Sequence, residues 1–97
     1  MPMYISLMNW TDQGIRSVKD SPNRIRQSAG QFQQLGVQLR DVYLTMGDHD
    51  LVAIFEAPDD QAVARAMLSL GMAGNVRTKT LKAFGLNEFE QIAGSLG

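Results

Sequence analysis

The only histidine of the chain, His49, stands between Asp48 and Asp50 in the segment GDHD. An imidazole beside a carboxylate can serve as a pH-dependent switch or a base, which makes His49 and Asp50 the candidate catalytic residues. The same residues also read as turn chemistry, because Asp side chains bond back to nearby amides and Gly47 takes a positive φ without steric penalty. A metal would need three or four convergent ligands. Two carboxylates leaving a turn in different directions do not supply them, so no metal is expected. The chain has no cysteine, which excludes disulfides, thiolate metal sites and cysteine catalysis. No Ser-His-Asp order, Gly-rich phosphate loop or defensible carboxylate pair is present, and no cofactor is expected.

A second set could bind rather than react. Tyr4, Ser6, Met8, Trp10, Tyr43, Thr45 and Phe55 alternate along three apparent strands, and placed on one sheet face they would form an apolar surface with scattered hydroxyls, suited to orienting a small organic molecule. The same residues could equally fill a dimer core, with the Tyr and Trp polar tips at its margin. Asp41 would share that face, where a carboxylate needs a partner, and Arg77 or Lys79 of the last strand is the candidate. Arg77 thus joins the expected ligand-binding residues. Arg16, Lys19, Arg24 and Arg26 form a loose basic patch, but nine basic residues against ten acidic ones leave a net charge of -1, so nucleic acid is not an expected partner. The six methionines read as gap fillers.

The elements that must position these residues centre on Val37 to Ala57. VQLRDVYLTM and LVAIFEA are rich in β-branched and aromatic residues and are separated by GDHD, the pattern of a β-hairpin. Ahead of it, Met3 to Trp10 alternates as a strand. Thr11 reads as an N-cap, with Trp10 and Ile15 at staple positions. Ser21-Pro22 opens a helix with Ile25, Ala29, Phe32 and Leu35 on one stripe and Gly36 as its stop. After the hairpin, Pro58-Asp59-Asp60 starts a second helix whose stripe is Ala62, Val63, Ala66, Met67 and Leu70, with Gly71 and Gly74 expected to end it. Asn75 to Phe84 alternates as a fourth strand. Asn87 and Glu90 resemble a capping box for a short terminal helix that stops at Gly94.

The order β-α-β-β-α-β predicts a single ferredoxin-like α+β domain over residues 1–97 with a C-terminal helical extension. Two helices cover one face of a four-stranded antiparallel sheet. The other face would be polar in a lone monomer, yet each strand carries large apolar groups on both sides. A second copy packed sheet against sheet is the simplest cover, which predicts a homodimer or higher even-numbered oligomer shaped as a dimeric α+β barrel. At 44% hydrophobic and 20% charged the composition is that of a globular domain. No apolar run approaches the roughly 20 residues of a membrane span, and MPMYISLMNW lacks the marks of a signal peptide, so a cytoplasmic protein without a membrane partner is expected.

Four stretches carry a resemblance to a known family: NWTDQG (9–14), VKDSPNR (18–24), YLTMGDHDLVAIFEAPDD (43–60) and GNVRTKTLKAF (74–84). They resemble the GYD domain family of small bacterial proteins, which implies a ferredoxin-like, dimeric α+β barrel of unassigned activity. Gly47 and Asp50 match the naming motif, while His49 stands where the family usually has Tyr. More loosely, the turn is similar to the effector-sensing domain of leucine-responsive regulators, and the topology to cofactor-independent antibiotic-biosynthesis monooxygenases. The functional expectation is a homodimeric module that binds a small molecule or serves assembly, with a pocket between sheets. The alternative is a cofactor-independent oxygenase or isomerase acting on an acidic phenol or enol, with His49 or Asp50 as base and Tyr43 or Trp10 steering the substrate.

Overall fold

Which side of the first strand meets the helices decides the whole arrangement, and the computed structural model, which describes all 97 residues, answers it. The first strand, β1 (Met3–Trp10), lies inside the sheet with Tyr4, Ser6 and Met8 buried. A short helix, α1 (Asp12–Arg16), and a 3-10 turn (Val18–Asp20) lead into α2 (Ser21–Gln34). The hairpin strands β2 (Gln38–Leu44) and β3 (Leu51–Glu56) follow, then α3 (Asp60–Ala73), β4 (Val76–Ala83) and α4 (Leu86–Gly94). All pairings are antiparallel and the strand order is β2-β3-β1-β4. This is the ferredoxin-like α+β fold expected from the element order.

The register divides the side chains between two faces. Tyr4, Ser6 and Met8 stand opposite Phe55, Ala53 and Leu51 of β3, and together with Phe32, Val37, Ala62, Val63, Ala66 and Met67 they make the core under α2 and α3. Phe32 and Phe55 meet edge to face, with ring centroids 5.9 Å apart, a favoured aromatic geometry. The small side chains of Ala53, Ala62 and Ala66 let α3 lie close on the sheet, and all three are almost fully buried.

Expected signals at the helix ends are met where the side chain has no better partner. Thr11 caps α1 by accepting from the Gly14 amide at 3.1 Å, and Asp59 caps α3 by accepting from the Ala62 amide at 2.9 Å. Gly36, Gly47 and Gly74 adopt the positive φ that suits glycine. Five expectations fail. Ser21 is the first residue of α2 rather than its cap, because its hydroxyl lies inside, 3.3 Å from the Trp10 Nε1–H that donates to it. The Trp10–Ile15 staple is absent, since Ile15 stays half exposed. Gly71 lies inside α3, which stops only at Gly74 in the left-handed conformation. The last helix starts after Gly85 without a side-chain cap, so Asn87 sits within it and makes no capping box, and Gly94 is its last residue, not its stop.

Where α1 abuts the start of β4 the backbones approach closely. Thr11 N–H donates to the Asn75 carbonyl at 3.0 Å, and the Thr11 hydroxyl donates to the Gly74 carbonyl. A Cβ on Gly14 would fall 1.9 Å from the Asn75 oxygen. Backbone cannot yield as a flexible side chain would, so Gly14→Ala is expected to destabilise the fold by about 2–3 kcal/mol, read as a lower urea midpoint.

Candidate functional site

The sheet surface away from α2 and α3 is built from the odd-numbered residues of β1. Met3, Ile5 and Leu7 stand there beside Val52 and Ile54 of β3, Tyr43 of β2 and Leu81 of β4, as the cross-strand pairs require. The five inner residues are half buried by their neighbours, and Tyr43 and Leu81 at the two sides are 54% and 52% exposed. Completing the burial of such side chains is worth on the order of 1 kcal/mol each. The centre of the open face is aliphatic and lacks the hydroxyls of the covered side.

This corrects the expected placement of the binding residues. Tyr4, Ser6, Met8 and Phe55 do not face the open side; they are buried beneath the helices. Trp10 packs partly buried against the same core. The reason is that each polar tip finds an internal partner, so burial leaves nothing unpaired. The Tyr4 hydroxyl donates to the Asp60 carboxylate, the Ser6 hydroxyl lies 3.1 Å from Thr80 Oγ1 and 3.5 Å from Met67 Sδ, and Trp10 Nε1 donates to Ser21. Of the expected set only Tyr43 and Arg77 stand on the open face, Arg77 opposite Asn9. Thr45 closes the turn by donating to the His49 carbonyl at 2.6 Å.

Tyr43 also shows what the alternation pattern missed. The ladder between β2 and β3 shifts between Leu39 and Asp41, an irregularity that moves one residue out of step. Leu39 consequently pairs with the core residue Phe55 while Tyr43 pairs with Val52 of the open face. Strict period-two counting puts Leu39 and Tyr43 on the same side. Arg40, at the irregularity, forms a 2.8 Å ion pair with Glu56.

Besides the paired Arg40 and Glu56, the charged residues flanking the open face are Asp41, Arg77 and Lys79. Asp41 pairs with Ile54 on the β2 side, and Lys79 pairs with Leu7 on the β4 side. The expected pairing of Asp41 with Arg77 or Lys79 does not occur within the protomer, where the ion pairs are Arg40–Glu56 and Lys82–Asp60. Two strands lie between the edges, a separation of about 14 Å at the usual strand spacing.

The candidate catalytic residues are tied to the end of β1. Asp50 N–H donates to the Met8 carbonyl at 2.9 Å, and its carboxylate accepts from the Trp10 amide at 3.0 Å. The carboxylate thus extends the β1–β3 ladder past Leu51. The Asn9 side-chain amide donates to the Asp48 carbonyl at 2.9 Å, which turns Asn9 Oδ1 toward His49 Nδ1, 3.1 Å away. In that geometry Nδ1 donates to the Asn9 oxygen. No cluster of three or more His, Asp or Glu residues converges.

Two further surfaces are on offer. A cavity of about 310 Å³ opens between α2 and the end of α3, lined by Met8, Phe32, Leu39, Phe55 and Leu70 among others. Arg24 on its wall is occupied, donating to the Ser17 carbonyl at 2.9 Å, the Ser17 hydroxyl at 3.0 Å and the Gly14 carbonyl at 3.4 Å. The second is α4, none of whose residues is buried. It leaves Leu86, Phe89 and Ile92 in solvent and contributes to a molecule measuring 52 × 32 × 17 Å. No helix is long and apolar enough to cross a membrane.

The class of protein is set by this arrangement: a ferredoxin-like α+β domain with helices on one face of its sheet and an aliphatic surface on the other. The chain belongs to the GYD domain family, whose model matches residues 4–93. It is 38% identical over 84 residues to the glutamine synthetase and cystathionine beta-lyase binding protein of Thermus thermophilus, spanning 86% of this chain and 88% of that protein. The crystal structure of TTHA0845, also from Thermus thermophilus, is similar, with a TM-score of 0.55 and 25% identity over 88% of this chain and 95% of that one. That of FFRP-DM1 shares the fold, with a TM-score of 0.57 at 16% identity over 87% of this chain and 100% of that one.

The Tyr4–Asp60–Lys82 contact ties the covered face to the start of α3 and has a measurable pH signature. The hydrogen bond to Asp60, followed by burial, pushes the Tyr4 pKa up from 10.0 to about 12. Asp60 is held below the usual carboxylate range by the Tyr4 hydroxyl and then by Lys82. Between pH 10 and 12 the unfolded tyrosine ionises before the folded one, so stability is full below this window and falls across it. Asp60 contributes stability that is present above the ordinary carboxylate pKa and is lost as pH falls through its depressed value. Tyr4→Phe is expected to flatten the alkaline decline and soften the acid one, measured as urea midpoint against pH.

Proposed function

We propose that this protein is a non-catalytic assembly module, a homodimer that closes two open sheet faces against each other and holds a second protein through α4. One observation carries the reading: a continuous aliphatic face of Met3, Ile5, Leu7, Val52 and Ile54 lies uncovered across the centre of the sheet. Monomers seldom leave so extended an apolar patch in water. The name of the Thermus thermophilus relative, a binding protein for two metabolic enzymes, supports a protein partner of that class. The exposed apolar residues of α4 supply a surface distinct from the sheet, which a module engaging itself and another protein at once requires.

A second reading, small-molecule binding, is favoured by the cavity beside Phe32 and Phe55, whose size and apolar lining suit a small ligand. It lies on the helix side of the sheet rather than between two sheets. The oxygenase or isomerase alternative gains no such support, because neither His49 nor Asp50 lines that cavity.

Light scattering on the purified protein is expected to give about twice the 10.7 kDa chain mass at micromolar concentration, and Ile54→Asp to give a monomer. A wild-type monomer would overturn the dimer. The double variant Phe89→Asp, Ile92→Asp is expected to remain dimeric yet lose retention of purified glutamine synthetase or cystathionine beta-lyase from the same organism. Retention of neither enzyme by the wild type would sink that partner assignment. For the second reading, a ligand at a hundredfold excess over its Kd stabilises by about 2.7 kcal/mol, and a thermal-shift screen without any response counts against it.

A further inference from the structure

Outside the Arg40–Glu56 pair, the open face carries opposite charges on its two sides, and we infer that these charges set the orientation in which a second copy binds, with Asp41 of each protomer facing the β4 edge of the other, nearest to Lys79. The inference rests on the reading that this face self-associates and adds how. Asp41 stands on the edge strand β2, in one cross-strand row with Ile54, Ile5 and Leu81. Lys79 stands on the opposite edge strand β4, in the adjacent row with Tyr43, Val52 and Leu7. Arg77 lies one row further, opposite Asn9. All three side chains are exposed, and none takes part in an ion pair within the protomer.

Two copies can stack face to face about a twofold axis in two simple ways. An axis across the strands sets β2 over β2 and β4 over β4, so that the basic edges bearing Lys79 and Arg77 meet each other and Asp41 lies on the far side from both. An axis along the strands sets β2 of one copy over β4 of the other. It brings each Asp41 above the basic edge of the partner, offset from Lys79 by one row, about 7 Å along the strand, a gap that a long lysine side chain can narrow. The aliphatic centre is buried in either case. Charge therefore discriminates between them, since opposed like charges disfavour one arrangement and complementary edges favour the other. The symmetry repeats the pairing, so every charge counts twice.

Charge reversal tests the orientation. Asp41→Lys and Lys79→Asp are each expected to raise the dimer Kd about tenfold or more at low salt, and less at high salt where the pairs are screened. The double variant Asp41→Lys, Lys79→Asp is expected to return to within about threefold of the wild type, because the exchanged charges again oppose each other. Both positions are exposed, and far-ultraviolet circular dichroism identifies any variant that fails to fold; for such a variant, Asp41→Asn or Lys79→Gln takes its place and is expected to weaken the dimer by a smaller factor. A wild-type dimer that tolerates both single reversals unchanged overturns the orientation and leaves the self-association reading standing. Single reversals that weaken the dimer without recovery in the double variant also overturn it. A wild-type monomer overturns both.

Discussion

Everything in this fold follows from how the inner strand β1 satisfies the polar tips of its own core side. Tyr4, Ser6 and Trp10 face the helices, and each carries a hydrogen-bonding group into or beside the interior. Burial of an unpaired hydroxyl would be unfavourable by a few kcal/mol. Asp60, Thr80 and Ser21 remove that penalty from three directions. Once those pairs exist, the aliphatic alternates Met3, Ile5 and Leu7 have nowhere to go but the far face. The apolar outer surface is thus the complement of a polar-tipped core.

That inversion explains how much of the site was legible in the sequence. Element order, the GDHD hairpin and the two helix stripes follow from period and turn chemistry, and they appear where the residues predict. The face of each strand does not follow from period alone, because both alternates of β1 are apolar enough to be buried. Hydroxyls suggest an outer, ligand-facing surface only while their internal partners are unknown, and Asp60 and Thr80 are more than fifty residues away in sequence from Tyr4 and Ser6. The shifted register near Arg40 is equally silent, since one extra residue in an edge strand leaves no mark in composition.

The family turn gains a structural account from the same strand. The Asp50 backbone and carboxylate both bond to β1, at Met8 and Trp10, while Asn9 reaches back to Asp48 and His49. The turn is thereby sewn to the end of the central strand instead of extending freely beyond it. A histidine at the third turn position fits because Asn9 Oδ1 accepts from its Nδ1–H. The turn contributes a rigid corner at one end of the sheet, beside the row that holds Arg77.

The outer strands carry one more consequence. Unpaired strand edges invite other chains to add on and propagate into ribbons. Here β2 is kinked out of regular register at Arg40, and β4 presents Arg77, Lys79 and Lys82 along its length. Both rims thus resist sideways extension while the flat of the sheet stays greasy. A chain built this way can meet a twin and stop, a finite complex in place of an open-ended fibre.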